Sequence, residues 1–211
     1  MLHRINPYLW AFLPPALLNA IFILQPWFDK WLIYVDPLLA AEMTEVCCDR
    51  SLGMASNIGV LYWAVGAACC GFAAAVLRGR TGVKPKARML AQAALLTGFL
   101  GIDDLIMLHD SVFPRLGVPE MVTFGVYGLL GLSYLVMNWR LILQEEPWLF
   151  LAAVGFLVVS LGVDATDNKA QLLWKQLLEE GAKLMGIAGW CVWHVRVASR
   201  AVRGEIGVKG S

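Results

Sequence analysis

Long apolar segments alternate with short polar ones along the whole chain. Six of these segments hold about 20 residues each, the length at which a helix rising 1.5 Å per residue crosses about 30 Å of hydrocarbon. They lie at about residues 8–28, 54–77, 87–108, 118–138, 147–163 and 172–195. None alternates with period two, as the strands of a membrane barrel do. The pattern therefore predicts an all-α integral membrane protein, with six transmembrane helices in one bundle and a single domain over residues 1–211.

The stretch between the first two segments, residues 29–50, is too polar to cross a membrane. Its apolar residues 31–35 and 38–39 instead predict a short helix that lies along the membrane surface. The composition fits the same class of protein, because 59% of the residues are hydrophobic and only 16% are charged, against about a quarter charged in soluble domains.

Charged residues are distributed unevenly between the two ends of the predicted spans. Eleven of the 17 basic residues lie at one end, with only three acids, and the other end holds the remaining six basic and 13 acidic residues. The basic end consists of Arg4, Arg78, Arg80, Lys84, Lys86, Arg88, Arg140, Arg196, Arg200, Arg203 and Lys209. By the positive-inside rule this end is cytoplasmic, so both termini are expected inside the cell, and the expected membrane is a bacterial inner (plasma) membrane. The net charge of only +1 gives no reason to expect nucleic acid as a partner.

Five acidic residues lie deep inside the predicted spans: Asp103, Asp104, Asp164, Glu179 and Glu180. Counting residues from the cytoplasmic anchors places all five at about 22 to 25 Å from the inner boundary. If the third helix continues through Asp110, then Asp103, Met107 and Asp110 share one face of it. Ionisable groups are costly in lipid and by default mark a functional site, so these carboxylates predict a pocket that opens outward.

The charge balance of this acidic group leaves three interpretations open. Lys183 is the only basic residue at the same depth, so most of the negative charge needs another partner. The acids bind a divalent cation, or several of them are protonated, or they form a hydrated structural network. Since His109 is the only histidine near this depth, a bound ion is expected to be Mg²⁺, Ca²⁺ or Mn²⁺ in preference to Zn²⁺.

Three functions are compatible with such a site. The first is a metal-dependent membrane hydrolase or transferase that acts on a lipid or another substrate from the outer leaflet. In that enzyme the five carboxylates are metal ligands, His109 or Asp110 is the general base, and Lys183 is an electrostatic support. The alternative interpretation of His109 is a structural residue at a helix end. Membrane lipids are the expected partners.

The second function is that of a non-catalytic accessory or assembly subunit, with a protein partner in a larger membrane complex. The third is proton or cation transport. Transport requires polar positions that continue toward the cytoplasmic end, and the sequence offers few of them, namely Gln92, Thr97, Tyr127 and Tyr134.

Overall fold

The computed structural model describes residues 6–35, 37, 40, 49–164 and 173–208. All regular secondary structure in these ranges is helical, and they contain no β-strand. The main helices are α1 (Pro7–Leu24), α2 (Lys30–Tyr34), α3 (Met54–Leu77), α4 (Lys84–Ile106), α5 (Glu120–Gln144), α6 (Pro147–Asp164) and α7 (Leu173–Val208). Three shorter turns complete the connections: a 3₁₀ turn at Thr81–Val83, a π-helix at Leu108–Val112 and one α-helical turn at Phe113–Arg115.

Five of these helices, α1, α3, α4, α5 and α6, are long and apolar enough to cross a membrane. The prediction of an all-helical membrane protein is thereby confirmed. The sixth predicted span lies within α7, which has 36 residues but does not reach the same apolar character. Glu179, Glu180 and Lys183 lower its hydropathy at one end and arginines lower it at the other. The count of six spans and the cytoplasmic position of both termini are therefore not confirmed.

Large apolar side chains cover the outer faces of these helices. Phe72 is 68% exposed, Leu95 77% and Leu129 68%. Contiguous apolar surface of this kind is rare on soluble proteins, because water disfavours it. Such faces are stable in contact with lipid hydrocarbon, and the helices also have the length needed to cross it.

Polar side chains set the boundaries of the first two helices. Asn6 caps α1 by accepting a hydrogen bond from the Tyr8 amide at 3.0 Å, and Asp29 caps α2 by accepting one from the Trp31 amide at 2.8 Å. The predicted helix after the first span therefore exists as α2, although residues 36, 38 and 39 lie outside the described ranges. The Tyr34 hydroxyl donates to Asn19 Oδ1 at 2.9 Å, which ties α2 to α1.

The chain divides into two compact units, and the division passes through α3 and α7. Unit 1 comprises residues 1–62 and 149–190, and unit 2 comprises residues 63–148 and 191–211. The prediction of a single domain stays a prediction.

Glycines allow close helix contact in unit 1. A Cβ atom on Gly186 would lie 2.7 Å from Leu157 Cγ, and one on Gly189 would lie 2.9 Å from Ala153 Cβ. Real Cβ atoms do not approach that closely, so α6 and α7 pack at a distance that only glycine permits.

Candidate functional site

The end of α4 has an unusual backbone. Helix α4 ends at Ile106, its C-cap Met107 has a left-handed φ of 52° and ψ of 56°, and the π-helix Leu108–Val112 follows at once. A positive φ is uncommon for residues other than glycine, and π-helical turns occur frequently at functional sites. This reversal folds His109 back against the last turn of α4. The α-helix does not continue through Asp110, so the condition under which Asp103, Met107 and Asp110 would share one face is not met, and His109 contacts Asp103.

Asp103 is the centre of this region and is only 3% exposed. Its Oδ1 accepts hydrogen bonds from the His109 amide at 3.1 Å and from the Tyr127 hydroxyl at 2.7 Å. Its Oδ2 lies 2.7 Å from His109 Nδ1. Three elements, α4, the π-helix and α5, thus converge on one buried carboxylate, and we refer to its contact with the imidazole as the Asp103–His109 pair.

The pair defines the chemistry of the imidazole. A carboxylate at Nδ1 favours the tautomer that carries its proton there, so that Nε2 is the basic nitrogen. The same carboxylate stabilises the imidazolium that forms when Nε2 takes up a proton. Aromatic rings pack around the histidine, with the Phe124 centroid 5.5 Å and the Tyr127 centroid 6.2 Å from its own. His109 keeps 12% of its side chain exposed.

The neighbouring carboxylate has a different partner. Asp104 Oδ2 accepts a hydrogen bond from Trp63 Nε1 on α3 at 2.7 Å. Room for Trp63 exists because residue 101 is glycine, where a Cβ would lie 2.8 Å from Trp63 Cβ. Asp103 and Asp104 are both predicted metal ligands, and in the structure each accepts hydrogen bonds from side chains of the protein itself.

Four predicted site residues, Asp164, Glu179, Glu180 and Lys183, lie in unit 1. Lys183 Nζ is 3.5 Å from Glu180 Oε1, three residues before it. Glu179 is within electrostatic range of Asp164, Glu180, Lys183 and Lys175. Asp164, Glu179, Glu180 and Lys183 form the second group of predicted site residues, and Asp103, Asp104, His109 and Asp110 in unit 2 form the first. Asp110 belongs to the π-helix, and its side chain lies outside what the structure describes.

In the described ranges, no group of three or more His, Cys, Asp or Glu side chains could hold a metal ion. The expected divalent cation therefore stays a prediction, and so do its ligands.

A second polar group in unit 2 was only partly predicted. The Tyr134 hydroxyl lies 2.9 Å from His194 Nε2, and the Asn138 amide donates to Gln92 Oε1 at 2.9 Å. His194 is fully buried and Asn138 is 3% exposed. We call these four residues the inner polar group. The sequence carried a signal for it, because Tyr127, Tyr134 and Asn138 are spaced at i, i+7 and i+11 on one face of α5.

The turn between α5 and α6 is held by an ion-pair cluster that the sequence pattern did not predict. Glu145 accepts from Lys86 Nζ at 2.6 Å and lies 3.0 Å from Arg200 Nε. Glu146, at a φ of 53°, forms a two-pronged contact with Arg196 and also accepts from Arg200. The hydrogen bonds from Arg196 hold the pKa of the Glu146 carboxyl below its usual range. We call these five residues the ion-pair clasp.

The fold and the site define an α-helical multi-pass membrane protein with a buried carboxylate–histidine pair where one of its spans ends. The chain belongs to the family described as Domain of unknown function (DUF8692), whose profile matches residues 11–197. No curated protein and no solved structure matches it.

Proposed function

We propose that this protein is a membrane-embedded hydrolase or transferase that acts on a lipid or another substrate reached from the outer leaflet, and that His109 is its general base. The observation that carries the proposal is the Asp103–His109 pair. A structural histidine at a helix end needs neither a buried carboxylate at Nδ1 nor a reversed backbone before it. A carboxylate at Nδ1 orients a histidine for proton transfer, and strained backbone conformations cluster at active sites.

In the proposed reaction His109 Nε2 removes the proton from a nucleophile, either water or an acceptor hydroxyl. The nucleophile attacks the carbonyl or phosphoryl centre of the substrate, and the imidazolium then returns the proton to the leaving group. Asp103 keeps Nδ1 protonated and offsets the positive charge of the imidazolium. Tyr127 holds Asp103 in place by donating to Oδ1. General acid–base catalysis of this kind contributes about 10²–10⁴-fold to a rate.

Dependence on a divalent cation is part of the proposal. A cation such as Mg²⁺, Ca²⁺ or Mn²⁺ would supply a Lewis acid. Within unit 1 the acids Asp164, Glu179 and Glu180 outnumber Lys183 and Lys175, the bases that interact with Glu179, and a bound cation would offset the excess negative charge. Elemental analysis of purified wild-type protein and of Glu179→Gln tests it. About one equivalent of metal that the variant loses would support the cation, and two metal-free proteins would refute it.

The catalytic test uses purified protein in nanodiscs of defined phospholipids, with products followed by mass spectrometry. His109→Ala and Asp103→Asn are expected to slow turnover by about 100-fold or more. Asp29→Asn is the matched control, because it makes the same chemical change at the N-cap of α2, outside the predicted site residues, where asparagine can also cap a helix, and it should stay within about tenfold of wild type. Full turnover by His109→Ala would refute the assignment of the base.

Nitrogen NMR of labelled histidines provides a readout that needs no substrate. The His109 resonance is identified as the one that disappears in His109→Gln. In wild type this resonance should show the tautomer protonated at Nδ1. In Asp103→Asn that tautomer preference should be lost, whereas Asp104→Asn should keep it. An unchanged tautomer in Asp103→Asn would contradict the positioning role of this carboxylate.

Proton transport is the second candidate function, and the inner polar group is the observation that favours it. The sequence suggested few polar positions beyond the site, and the structure adds Asn138 and His194 to them. Steady proton flux into proteoliposomes, measured with a pH-sensitive dye, would support transport if His194→Gln and His109→Gln both abolished it. Flux equal to that of empty liposomes would refute it.

The topology proposed for this function has six spans, with α7 as the sixth, and both termini in the cytoplasm of a bacterial cell. The ion-pair clasp supports it, because Lys86, the turn at Glu145 and Arg200 lie together in unit 2, as basic ends of successive spans should under the positive-inside rule. Labelling of single cysteines at positions 30 and 203 in intact cells tests it. The proposal requires labelling from outside at position 30 and protection at position 203.

A further inference from the structure

Unit 2 contains a cavity of about 570 Å³ between the end of α3 and the start of α4. Its walls are mainly small apolar side chains, among them Ala74 on α3 with Ala87 and Ala91 on α4. Three basic residues, Arg78, Lys84 and Arg88, also line it, and each of them is exposed. A cavity of this size lies within the range of ligand pockets, about 300–1,000 Å³.

The packing of α3 against α4 explains why the cavity lies at this end. Toward the other end the helices are in close contact, and a Cβ on Gly101 would lie 2.8 Å from Trp63 Cβ. Farther along, a Cβ on Gly71 would make an ordinary van der Waals contact with Ala94 Cβ at 3.7 Å. Beyond this point alanines face the gap and are too small to fill it. Gly79, whose φ is 84°, lies in the turn that follows α3 and itself lines the opening.

None of the described residues that line the cavity is acidic. Lys86, by contrast, is paired with Glu145 at 2.6 Å. In the described part of the chain Arg78, Lys84 and Arg88 have no comparable ion pair. The site therefore combines three positive charges with an apolar groove, which matches an amphiphile with an anionic head and a hydrocarbon tail.

We propose that this cavity binds an anionic phospholipid. The phosphate lies among Arg78, Lys84 and Arg88, where guanidinium groups can form paired hydrogen bonds to phosphate oxygens. The first part of one acyl chain lies along the alanines. The position agrees with the end of the molecule at which the sequence places the cytoplasmic leaflet, whose lipids include anionic ones. The proposal is independent of the reaction proposed for His109, since it involves none of the same residues.

The test is native mass spectrometry and thermal unfolding of the purified full chain in a neutral detergent, with added lipid. Phosphatidylglycerol is the probe, and phosphatidylcholine is the lipid control. Wild type should bind phosphatidylglycerol and unfold at a higher temperature with it, with little change in phosphatidylcholine. The double variant Arg78→Gln/Arg88→Gln should bind it at least tenfold more weakly. The matched control Arg140→Gln/Arg203→Gln removes the same charge from exposed positions outside the cavity, and should bind as wild type does.

A second variant separates folding from binding. Ala91→Leu narrows the groove and leaves all three charges in place, so it should weaken phosphatidylglycerol binding without lowering the melting temperature in detergent alone. Equal losses of phosphatidylglycerol binding in the two double variants would overturn the proposal, because the lipid would then be attracted by the overall positive charge and not by this cavity. Saturable stabilisation by inorganic phosphate alone, lost in Arg78→Gln/Arg88→Gln, would also overturn it in favour of a soluble anion. So would equal binding of phosphatidylcholine.

Discussion

Replacement of Gly101 by alanine tests the contact that positions Trp63 beside Asp104. The added Cβ would lie 2.8 Å from Trp63 Cβ and 3.5 Å from its Cγ. Trp63 is 4% exposed, and its Cβ is attached directly to the backbone, so a change of side-chain rotamer cannot move that atom away. Either α3 or α4 must therefore shift by several tenths of an ångström. Overpacking of this kind costs about 1–3 kcal/mol.

Gly98, three residues earlier on the same helix, is the matched control. A Cβ there would lie 3.8 Å from Ala67 Cβ, an ordinary van der Waals contact. Replacing glycine by alanine inside a helix stabilises it by up to about 1 kcal/mol. The same chemical change should therefore have opposite effects at the two positions, and the free energies of unfolding should differ by about 1–4 kcal/mol.

The assay is reversible unfolding in mixed micelles, followed by circular dichroism as the fraction of denaturing detergent rises. Gly101→Ala should unfold at a lower fraction than wild type, and Gly98→Ala at the same fraction or a higher one. The order of the two unfolding midpoints decides the matter, and a change in tryptophan fluorescence alone does not. If Gly101→Ala were as stable as Gly98→Ala, the close packing of α3 on α4 would be refuted.

Three further predictions concern the clasp and the site. The pKa of Glu146 is lowered in the folded protein, so its carboxylate stabilises the fold above the unfolded pKa of about 4.3. This contribution is lost as the pH falls through the lower folded pKa. Glu146→Gln should therefore flatten the decline of the melting temperature in acid. Arg196→Lys keeps the charge but loses the two-pronged contact, so it should lower the melting temperature at pH 7, and an unchanged value would count against that contact. Tyr127→Phe removes one hydrogen bond to Asp103 but keeps the contact between Asp103 and His109. It should reduce turnover by about tenfold, which is less than the loss in Asp103→Asn. A loss as large as that of Asp103→Asn would assign Tyr127 a direct role in the reaction.

The helical membrane class followed from the sequence because it depends on local properties. Segment length and hydropathy are sufficient to identify helices such as α3, which begins at Met54 and ends at Leu77 as expected. Boundaries were less accurate where polar residues lie inside a helix. Helix α5 continues to Gln144, past the predicted end at Asn138, because Asn138 is buried against Gln92 and does not mark a membrane interface.

The site was predicted in its residues but not in its geometry. Asp103 and His109 were both identified, yet a straight helix would have placed them on different faces. The reversal at Met107 is not visible in the sequence, since no glycine or proline marks it. It is stabilised by contacts that form only in the folded chain, among them the amide of His109 on Asp103.

The sequence by itself determined that the chain is a helical membrane protein, that its charges are concentrated at opposite ends, and that carboxylates lie within its apolar spans. These properties are sums over neighbouring residues, so they can be read without the fold. The tertiary structure decided which partners the two acids of α4 have: His109 and Tyr127 for Asp103, and Trp63 for Asp104. Pairing depends on distances between residues up to 41 positions apart in the chain, and packing alone sets those distances.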